Sequence, residues 1–174
     1  MNDIEKISNH PVWDVYAQYR TARFNVHYYE KRLSILKRWN FTIESIIALS
    51  VPTIAGLWVW STTIGSIFWQ SLTALAAILA IVKPLLGLSN KIQENSEVLT
   101  KWRVLDGEFQ KLTISISQYR RYDETMRDQF LKILETKTTI TEPTEEPIST
   151  ICKKCIEQVN RELPSEDFFI PEEE

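Results

Sequence analysis

Apolar and polar positions divide this chain into two charged arms around a long uncharged centre. Between Glu44 and Lys83 lie 38 consecutive residues without an ionisable side chain. One helical crossing of a bilayer needs roughly 20 apolar residues, so this length fits two crossings. The pattern predicts a first span at about residues 42–60 and a second at about residues 64–88, with a short uncharged turn between them.

Each arm carries one apolar stripe at the spacing of a heptad repeat. Before the first span, steps of three and four residues connect Val12, Val15, Tyr19, Ala22, Val26, Tyr29, Leu33 and Leu36. After the second span, the same steps connect Val98, Trp102, Leu105, Phe109, Leu112, Ile116 and Tyr119, and the stripe resumes at Met126, Phe130 and Ile133. Such stripes are typical of helices that pair along a narrow seam. We therefore predict an all-α fold, a two-transmembrane helical hairpin continuous with a long cytoplasmic antiparallel coiled-coil stalk.

The predicted organisation has four parts. A cytoplasmic N-terminal helical arm (residues 1–40) leads into the transmembrane hairpin (41–88). A cytoplasmic C-terminal helical arm (89–136) follows, and then an acidic linker, a short amphipathic helix and a tail (137–174). Because the C-terminal arm is longer than the N-terminal arm at 1.5 Å per residue, its excess at about residues 118–135 must project, fold back or meet another subunit.

The short helix is predicted from Ser149 to Leu163, with Ser149 or Thr150 as its cap. Its apolar side consists of Ile151, Cys155, Ile156 and Val159. Beyond it, Phe168, Phe169 and Ile170 lie among acidic residues. Disorder is the ordinary state of such a tail, and a peptide that docks on a partner is the other interpretation. Both interpretations are open from the sequence.

Basic residues predict the orientation in the membrane. They flank the two spans at Lys31, Arg32, Lys37, Arg38, Lys83 and Lys91, whereas the turn has no charge. The positive-inside rule then places both termini in the cytoplasm of a multi-pass inner-membrane protein. No signal peptide is expected, because the first apolar run begins only after 40 residues that contain many charges. A buried helical hairpin in a soluble domain is the alternative, but these arms lack the broad apolar faces needed to wrap it.

The net charge of −3 is unevenly distributed along the chain. Residues 1–136 contain 16 basic and 13 acidic side chains, whereas residues 137–174 contain 4 and 10. The basic residues are dispersed and form no groove-like patch, so nucleic acid is not expected as the main ligand.

Small and weakly polar residues in the predicted spans are candidate packing or pore-lining positions. They are Ala48, Ser50, Pro52, Thr53, Gly56, Gln70, Thr73, Ala76, Ala77 and Ala80. Small residues let membrane helices approach closely, and weak polarity can line a narrow wet path in an oligomer. Packing of a simple hairpin accounts for them equally well. Glu44, about one turn inside the boundary, is predicted to pair with Lys83 as a structural ion pair or as a gate.

Little in the sequence predicts enzymatic chemistry. The two cysteines, Cys152 and Cys155, form a C-x-x-C, but a zinc site needs four ligands and both histidines lie on the other arm. We expect reduced packing thiols, no metal and no cofactor. His27 is expected at the surface or in the seam. With four glycines in all, no phosphate-binding loop is present, and we expect no catalytic residues.

Three segments carry a resemblance to a known family. They are Y-x-x-Y-R-x-A-R-F from Tyr16 to Phe24, Y-E-K-R-L from Tyr29 to Leu33, and K-W-R-V-L-D from Lys101 to Asp106. Together with two closely spaced spans, they resemble the SLATT family of bacterial two-transmembrane proteins, which accompany nucleotide-signalling and other antiphage modules. The resemblance covers about residues 12–135.

The resemblance implies a membrane effector of abortive infection. Such a protein stays silent until a sensor protein or a nucleotide second messenger reports infection, then self-associates and permeabilises the inner membrane. Membrane lipid and further copies of the chain are the implied partners, and the family has no agreed catalytic residues to transfer. The alternative is a passive anchor or scaffold that recruits a cytosolic partner through its stalk and tail.

Overall fold

Helices account for most of the chain. The computed structural model describes residues 10–49, 63–141, 143 and 146–171. In these residues the helices are α1 (Val12–Leu49), α2 (Thr63–Leu86), α3 (Leu88–Tyr119), α4 (Glu124–Thr138), α5 (Ser149–Glu162) and a 3-10 turn (Ser165–Asp167). No strand occurs in the same residues, which confirms the predicted all-α class. The finer prediction of a transmembrane hairpin with a coiled-coil stalk stays a prediction.

The chain divides into two compact units. The terminal unit comprises Met1–Arg32 and Asn95–Glu174, and the central unit comprises Leu33–Glu94. The divisions fall within α1 and within α3. The terminal unit is therefore assembled from segments that are far apart in the sequence.

The predicted apolar stripes supply the core of the terminal unit. Its buried stripe residues are Val12, Val15, Tyr19, Ala22, Val26, Tyr29, Val98, Trp102, Leu105, Phe109, Leu112, Ile116, Met126, Phe130 and Ile133. Ion pairs join α1 to α3 beside this core: Arg23 Nε lies 2.9 Å from Asp106 Oδ1, and Arg103 Nη2 lies 2.8 Å from Glu30 Oε1. Glu30 comes after Arg23 in α1, whereas its partner Arg103 comes before Asp106 in α3. The two helices therefore run antiparallel here.

The excess length of the C-terminal arm folds back as α4. The turn contains Arg120 with a φ of 53°, and the Asp123 side chain then caps α4 by accepting a hydrogen bond of 2.9 Å from the Met126 amide. The rings of Phe109 and Phe130 lie 6.3 Å apart, which places α4 against α3. Of the three outcomes that the sequence allowed for this segment, folding back is the one observed.

Helix α1 is also covered on a second face, outside its heptad stripe. Tyr16 is 1% exposed and Tyr28 is 5% exposed, although neither belongs to the stripe. Tyr16 stacks on Phe168, and the Tyr28 hydroxyl accepts a hydrogen bond of 3.3 Å from the Ile148 amide. Both contacts come from the C-terminal part of the chain. The terminal unit therefore buries two faces of α1.

The start of α5 differs from its predicted capping. Ile148 is the N-cap residue, and no side chain caps this end of the helix. The prediction of Ser149 or Thr150 as the cap is wrong, because both already lie within the first helical turn. Three of the four predicted apolar positions are buried, whereas Ile156 is 51% exposed.

We predict that Phe109→Ala destabilises the terminal unit by about 3–5 kcal/mol, because the Phe109 side chain of α3 is fully buried and faces α4. Val104→Ala on the same helix is the control, since Val104 is 55% exposed, and it should cost less than about 0.5 kcal/mol. Urea unfolding followed by circular dichroism gives both values. Equal losses in the two variants would contradict this description of the core.

Candidate functional site

Helix α2 of the central unit exposes large apolar side chains. Its 24 residues contain one charge, Lys83. Exposed fractions between 47% and 81% are found at Ile67, Leu75, Ile78, Ile81 and Leu85. The best-buried side chain described on this helix is small: Ala76 is 4% exposed. The helix thus packs with a small residue inside and large apolar residues outside.

The described helices give a limited signal for membrane spans. Within residues 10–49 and 63–171, apart from the gaps noted above, no single helix is both long and apolar enough to count as a span. Gln70–Leu86 and Leu88–Tyr119 meet the criterion only together, as a bent pair, by length and composition. The break is at Gly87, whose φ of 57° is a conformation that glycine adopts without steric cost. The two-span hairpin accordingly stays a prediction.

The predicted packing or pore-lining residues fall into three groups. Ala76 is buried. The exposed ones are Ala48, Gln70, Thr73, Ala77 and Ala80. Ser50, Pro52, Thr53 and Gly56 lie outside the described residues. Of the described candidates, Ala76 alone is buried, and the other five are exposed.

An ion pair connects α1 and α2 inside the central unit. Lys83 Nζ lies 2.6 Å from Glu44 Oε1, and Asn40 Nδ2 donates a hydrogen bond of 3.1 Å to the same oxygen. The side chains are 27% exposed for Lys83 and 52% exposed for Glu44. The structure therefore brings together the two residues that the sequence suggested as a pair at the end of the apolar segment.

A row of polar contacts joins α5 to the second face of α1 in the terminal unit. This polar row consists of Arg20 with Asn160, Arg23 with Glu162, His27 with Glu162, and Lys31 with Gln158. His27 Nε2 lies 2.8 Å from Glu162 Oε2, and Lys31 Nζ donates a hydrogen bond of 3.0 Å to Gln158. His27 is thus neither free at the surface nor in the heptad seam, because it faces α5.

Electrostatics in the polar row favour the ionised carboxylate. Partial burial alone raises the pKa of Glu162, but hydrogen bonds from Gln158 and His27 and the charge of Arg23 outweigh it, so this pKa is lowered. Burial raises the pKa of Asp106, and the Arg23 guanidinium opposes that rise. Arg23 also donates a hydrogen bond of 3.0 Å to the Tyr19 hydroxyl. Each of these charged side chains has a partner of opposite charge or a hydrogen-bond partner within the cluster. This is the arrangement of a structural ion-pair network.

The tail binds to the start of α1 through an aromatic clasp, formed by Trp13, Tyr16 and Phe168. The Tyr16 and Phe168 rings stack at 4.1 Å with an interplanar angle of 5°, and Trp13 meets Phe168 edge-on at 6.4 Å. The Tyr16 hydroxyl donates a hydrogen bond of 2.5 Å to the Phe169 carbonyl. Burial raises the pKa of Tyr16 to about 12. The predicted docking segment, which ends at Ile170, therefore lies on a helix of its own chain.

We compared this chain with protein-family models, with curated proteins and with solved structures. This chain matches none of them. The resemblance to the SLATT family rests on the three sequence segments and on the two closely spaced predicted spans, and it stays a prediction.

The two cysteines are free and packed against α1. Cys155 is buried and Cys152 is half-buried. Burial raises the pKa of the Cys155 thiol, and the charge of Lys31 opposes the rise. In the part of the chain that the structure describes, no group of three or more His, Cys, Asp or Glu side chains could hold a metal ion. The cavity beside Cys152 has a volume of about 70 Å³, below the roughly 300–1,000 Å³ of typical ligand pockets.

Sequence reasoning missed the second face of α1. Its contact residues Tyr16, Arg20, Arg23, His27 and Lys31 follow one another at steps of 4, 3, 4 and 4. This is a helical row parallel to the apolar stripe, made of long side chains with polar ends. Such a row is also what a solvated helix face looks like. In the sequence, only Tyr16 distinguishes this contact row from a solvated helix face.

We predict that the two thiols differ in their reactivity. A disulfide exchange reagent at pH 8 should modify Cys152 at least about tenfold faster than Cys155, because a buried thiol with a raised pKa is rarely ionised or reached. Cys155→Ala and Cys152→Ala isolate the two rates, which absorbance of the released thiolate reports. Similar rates in the folded protein would contradict the burial of Cys155, and urea should make them equal.

Proposed function

We propose that this protein is a non-enzymatic, self-associating membrane effector of a bacterial antiphage system. In this proposal both termini are cytoplasmic, and a sensor protein or nucleotide signal causes the protein to permeabilise the inner membrane. The observation that carries the proposal is the exposed apolar surface of α2. The family resemblance supplies the antiphage setting.

Burial energetics support a lipid environment for α2. Moving a large aliphatic side chain out of water is worth about 1.5–3 kcal/mol, and residues such as Ile81 and Leu85 are 69% and 81% exposed. Several such side chains exposed together on one nearly uncharged helix are typical of a surface that contacts lipid or a partner. Membrane helices pack with small residues at their contacts and large apolar residues facing the lipid. This is favourable because lipid tails are as apolar as leucine.

The Glu44–Lys83 pair fits the edge of such a membrane segment. Charged side chains near a bilayer are costly unless they pair or reach the interface. A carboxylate with a lysine at 2.6 Å and an amide at 3.1 Å has both partners that this setting requires. The pair thus supports the predicted cytoplasmic boundary.

Self-association is supported by the outward small residues of α2. Thr73, Ala77 and Ala80 follow steps of four and three, so they share one helix face. Small residues at such a face allow a helix of another copy to approach closely. With Gln70 and Thr73 on the same helix, an oligomer has the weak polarity that can line a narrow wet path. We propose this face as the contact between copies.

The test of function is conditional toxicity. Expression with its trigger should collapse the membrane potential, reported by a potential-sensitive dye. Ala76→Leu should relieve this effect, because a leucine does not fit where Ala76 is buried. Ile81→Leu is the control, since this side chain is 69% exposed and keeps its volume. A fully toxic Ala76→Leu variant would contradict the packing model. Dye-loaded liposomes that never leak would favour the anchor role instead.

The contact between copies has a separate test. Ala77→Leu should lower the oligomer mass in detergent while leaving the helical content unchanged, because Ala77 is exposed in a single copy. Light scattering with refractive-index detection gives the protein mass. Its matched comparison is Ala76→Leu, one residue earlier, which should lower the thermal midpoint instead. An unchanged oligomer mass in Ala77→Leu would exclude this face.

A further inference from the structure

A patch on α1 combines exposed aromatic and cationic side chains. It consists of Lys37, Arg38, Trp39 and Phe41, which lie in the central unit, and we call it the boundary patch. Trp39 is 61% exposed and Phe41 is 70% exposed, and both cations are exposed as well. The patch ends three residues before Glu44, after which the uncharged segment begins.

The two cations of the boundary patch have no described counterion. Among the residues that the structure describes, the Lys37 and Arg38 side chains have neither an ion-pair nor a hydrogen-bond partner. The next carboxylate along the helix, Glu44, is paired with Lys83. Residues 33–94 contain four basic and two acidic side chains, although the whole chain has a net charge of −3. The patch therefore offers uncompensated positive charge to a ligand.

Cations and apolar groups lie side by side around the helix. At about 100° per residue, the exposed side chains follow one another around α1 in the order Lys37, Phe41, Arg38, Ile35 and Trp39. Each cation thus has an apolar neighbour. A surface that faces only water gains nothing from an exposed tryptophan and phenylalanine, whereas the interface between water and lipid suits aromatic rings and cations together.

The depth of the patch matches the headgroup region of a bilayer. At 1.5 Å per residue, Phe41 lies about 5 Å and Trp39 about 8 Å before Glu44 along the helix axis. The polar region of one leaflet is about 5–8 Å thick. With the Glu44–Lys83 pair at the edge of the hydrocarbon core, as proposed above, both rings lie at headgroup level. The long side chains of the two cations then reach the phosphates.

We propose that the boundary patch binds the headgroups of anionic phospholipids. Lys37 and Arg38 contact the phosphate groups, and Trp39 and Phe41 lie in the interface beside them. Arginine suits this role because its planar guanidinium binds phosphate oxygens in a bidentate manner. A zwitterionic headgroup compensates its own phosphate, so the free cations select lipids with a net negative charge. The proposal rests on the proposed membrane location of α2, and it adds the class of lipid and the residues that select it.

Competition between two phospholipids tests this selectivity. Full-length protein in detergent is mixed with equal amounts of phosphatidylglycerol and phosphatidylcholine that have the same acyl chains, and native mass spectrometry counts the bound lipids. We expect phosphatidylglycerol to predominate. Lys37→Gln with Arg38→Gln should lower the ratio of the two lipids about fivefold for each cation removed, which is the effect of one basic side chain near an anionic surface. Lys101→Gln with Lys111→Gln is the control, because it removes the same charge from exposed positions on α3, and it should leave the ratio unchanged.

A photo-crosslinker identifies what covers the patch. Benzoylphenylalanine replaces Phe41 in protein that is reconstituted into vesicles of the two lipids, and irradiation should link position 41 to phospholipid. Benzoylphenylalanine at Val104, which is exposed in the terminal unit, is the control and should give no lipid link. Links from position 41 to protein instead of lipid would overturn the proposal and indicate a protein partner.

The outcomes also distinguish this site from the proposed function. A wild-type protein without a lipid preference, or a Lys37→Gln, Arg38→Gln variant that retains the full preference, overturns the site even when the chain sediments with alkali-washed membranes. A chain that the alkali wash releases overturns the membrane function, and the site with it. A lowered ratio in the variant together with lipid links at position 41 supports the site, whether or not the membrane potential collapses in cells.

Discussion

The terminal unit depends on the burial of two faces of α1. One face is the heptad stripe, represented by Val15 and Tyr19, which packs in the core with α3 and α4. The other begins at Tyr16 and continues along the polar row to Lys31, and α5 and the tail cover it. A helix with one apolar stripe can be satisfied by a single partner. Because α1 places buried tyrosines outside its stripe, it requires a second one.

Helix α2 of the central unit follows a different packing rule. On α2 the small Ala76 is inside and large side chains such as Leu85 are outside, whereas the terminal unit buries large side chains such as Phe109. A single solvent does not favour both arrangements. The proposed placement of α2 in lipid and of the terminal unit in water gives each the surroundings that its exposed side chains prefer.

The sequence predicted those parts of the fold that have a local period. All stripe positions from Val12 to Tyr29 and from Val98 to Ile116 are buried, because a helical period is visible within a short window. The stripes miss the buried Tyr16, Tyr28 and Leu99, and the last predicted position of the second stripe, Tyr119, is 63% exposed. Folding back of α4 was one of three open outcomes, since chain length alone does not choose among them. The wrong cap of α5 came from polar residues at Ser149 and Thr150 that the helix includes in its first turn.

The candidate sites were less predictable. The sequence indicated the Glu44–Lys83 pair because these residues bound the uncharged segment on either side. It gave no indication that Phe168 stacks on Tyr16. That contact joins distant segments, and neither residue belongs to a periodic pattern that points at the other. The tail therefore read equally well as disordered or as a docking peptide.

The contact of α5 and the tail with α1 has a consequence for biosynthesis. The hydrogen bond between Tyr16 and Phe169 joins residues 153 positions apart. At about 5–20 residues per second, a ribosome needs roughly 8–30 s to make the chain between them. Throughout that interval a nascent α1 has an uncovered tyrosine face. Helix α5 and the tail, made later, thus complete the earlier α1, and until then a chaperone has a binding surface that the packed terminal unit hides.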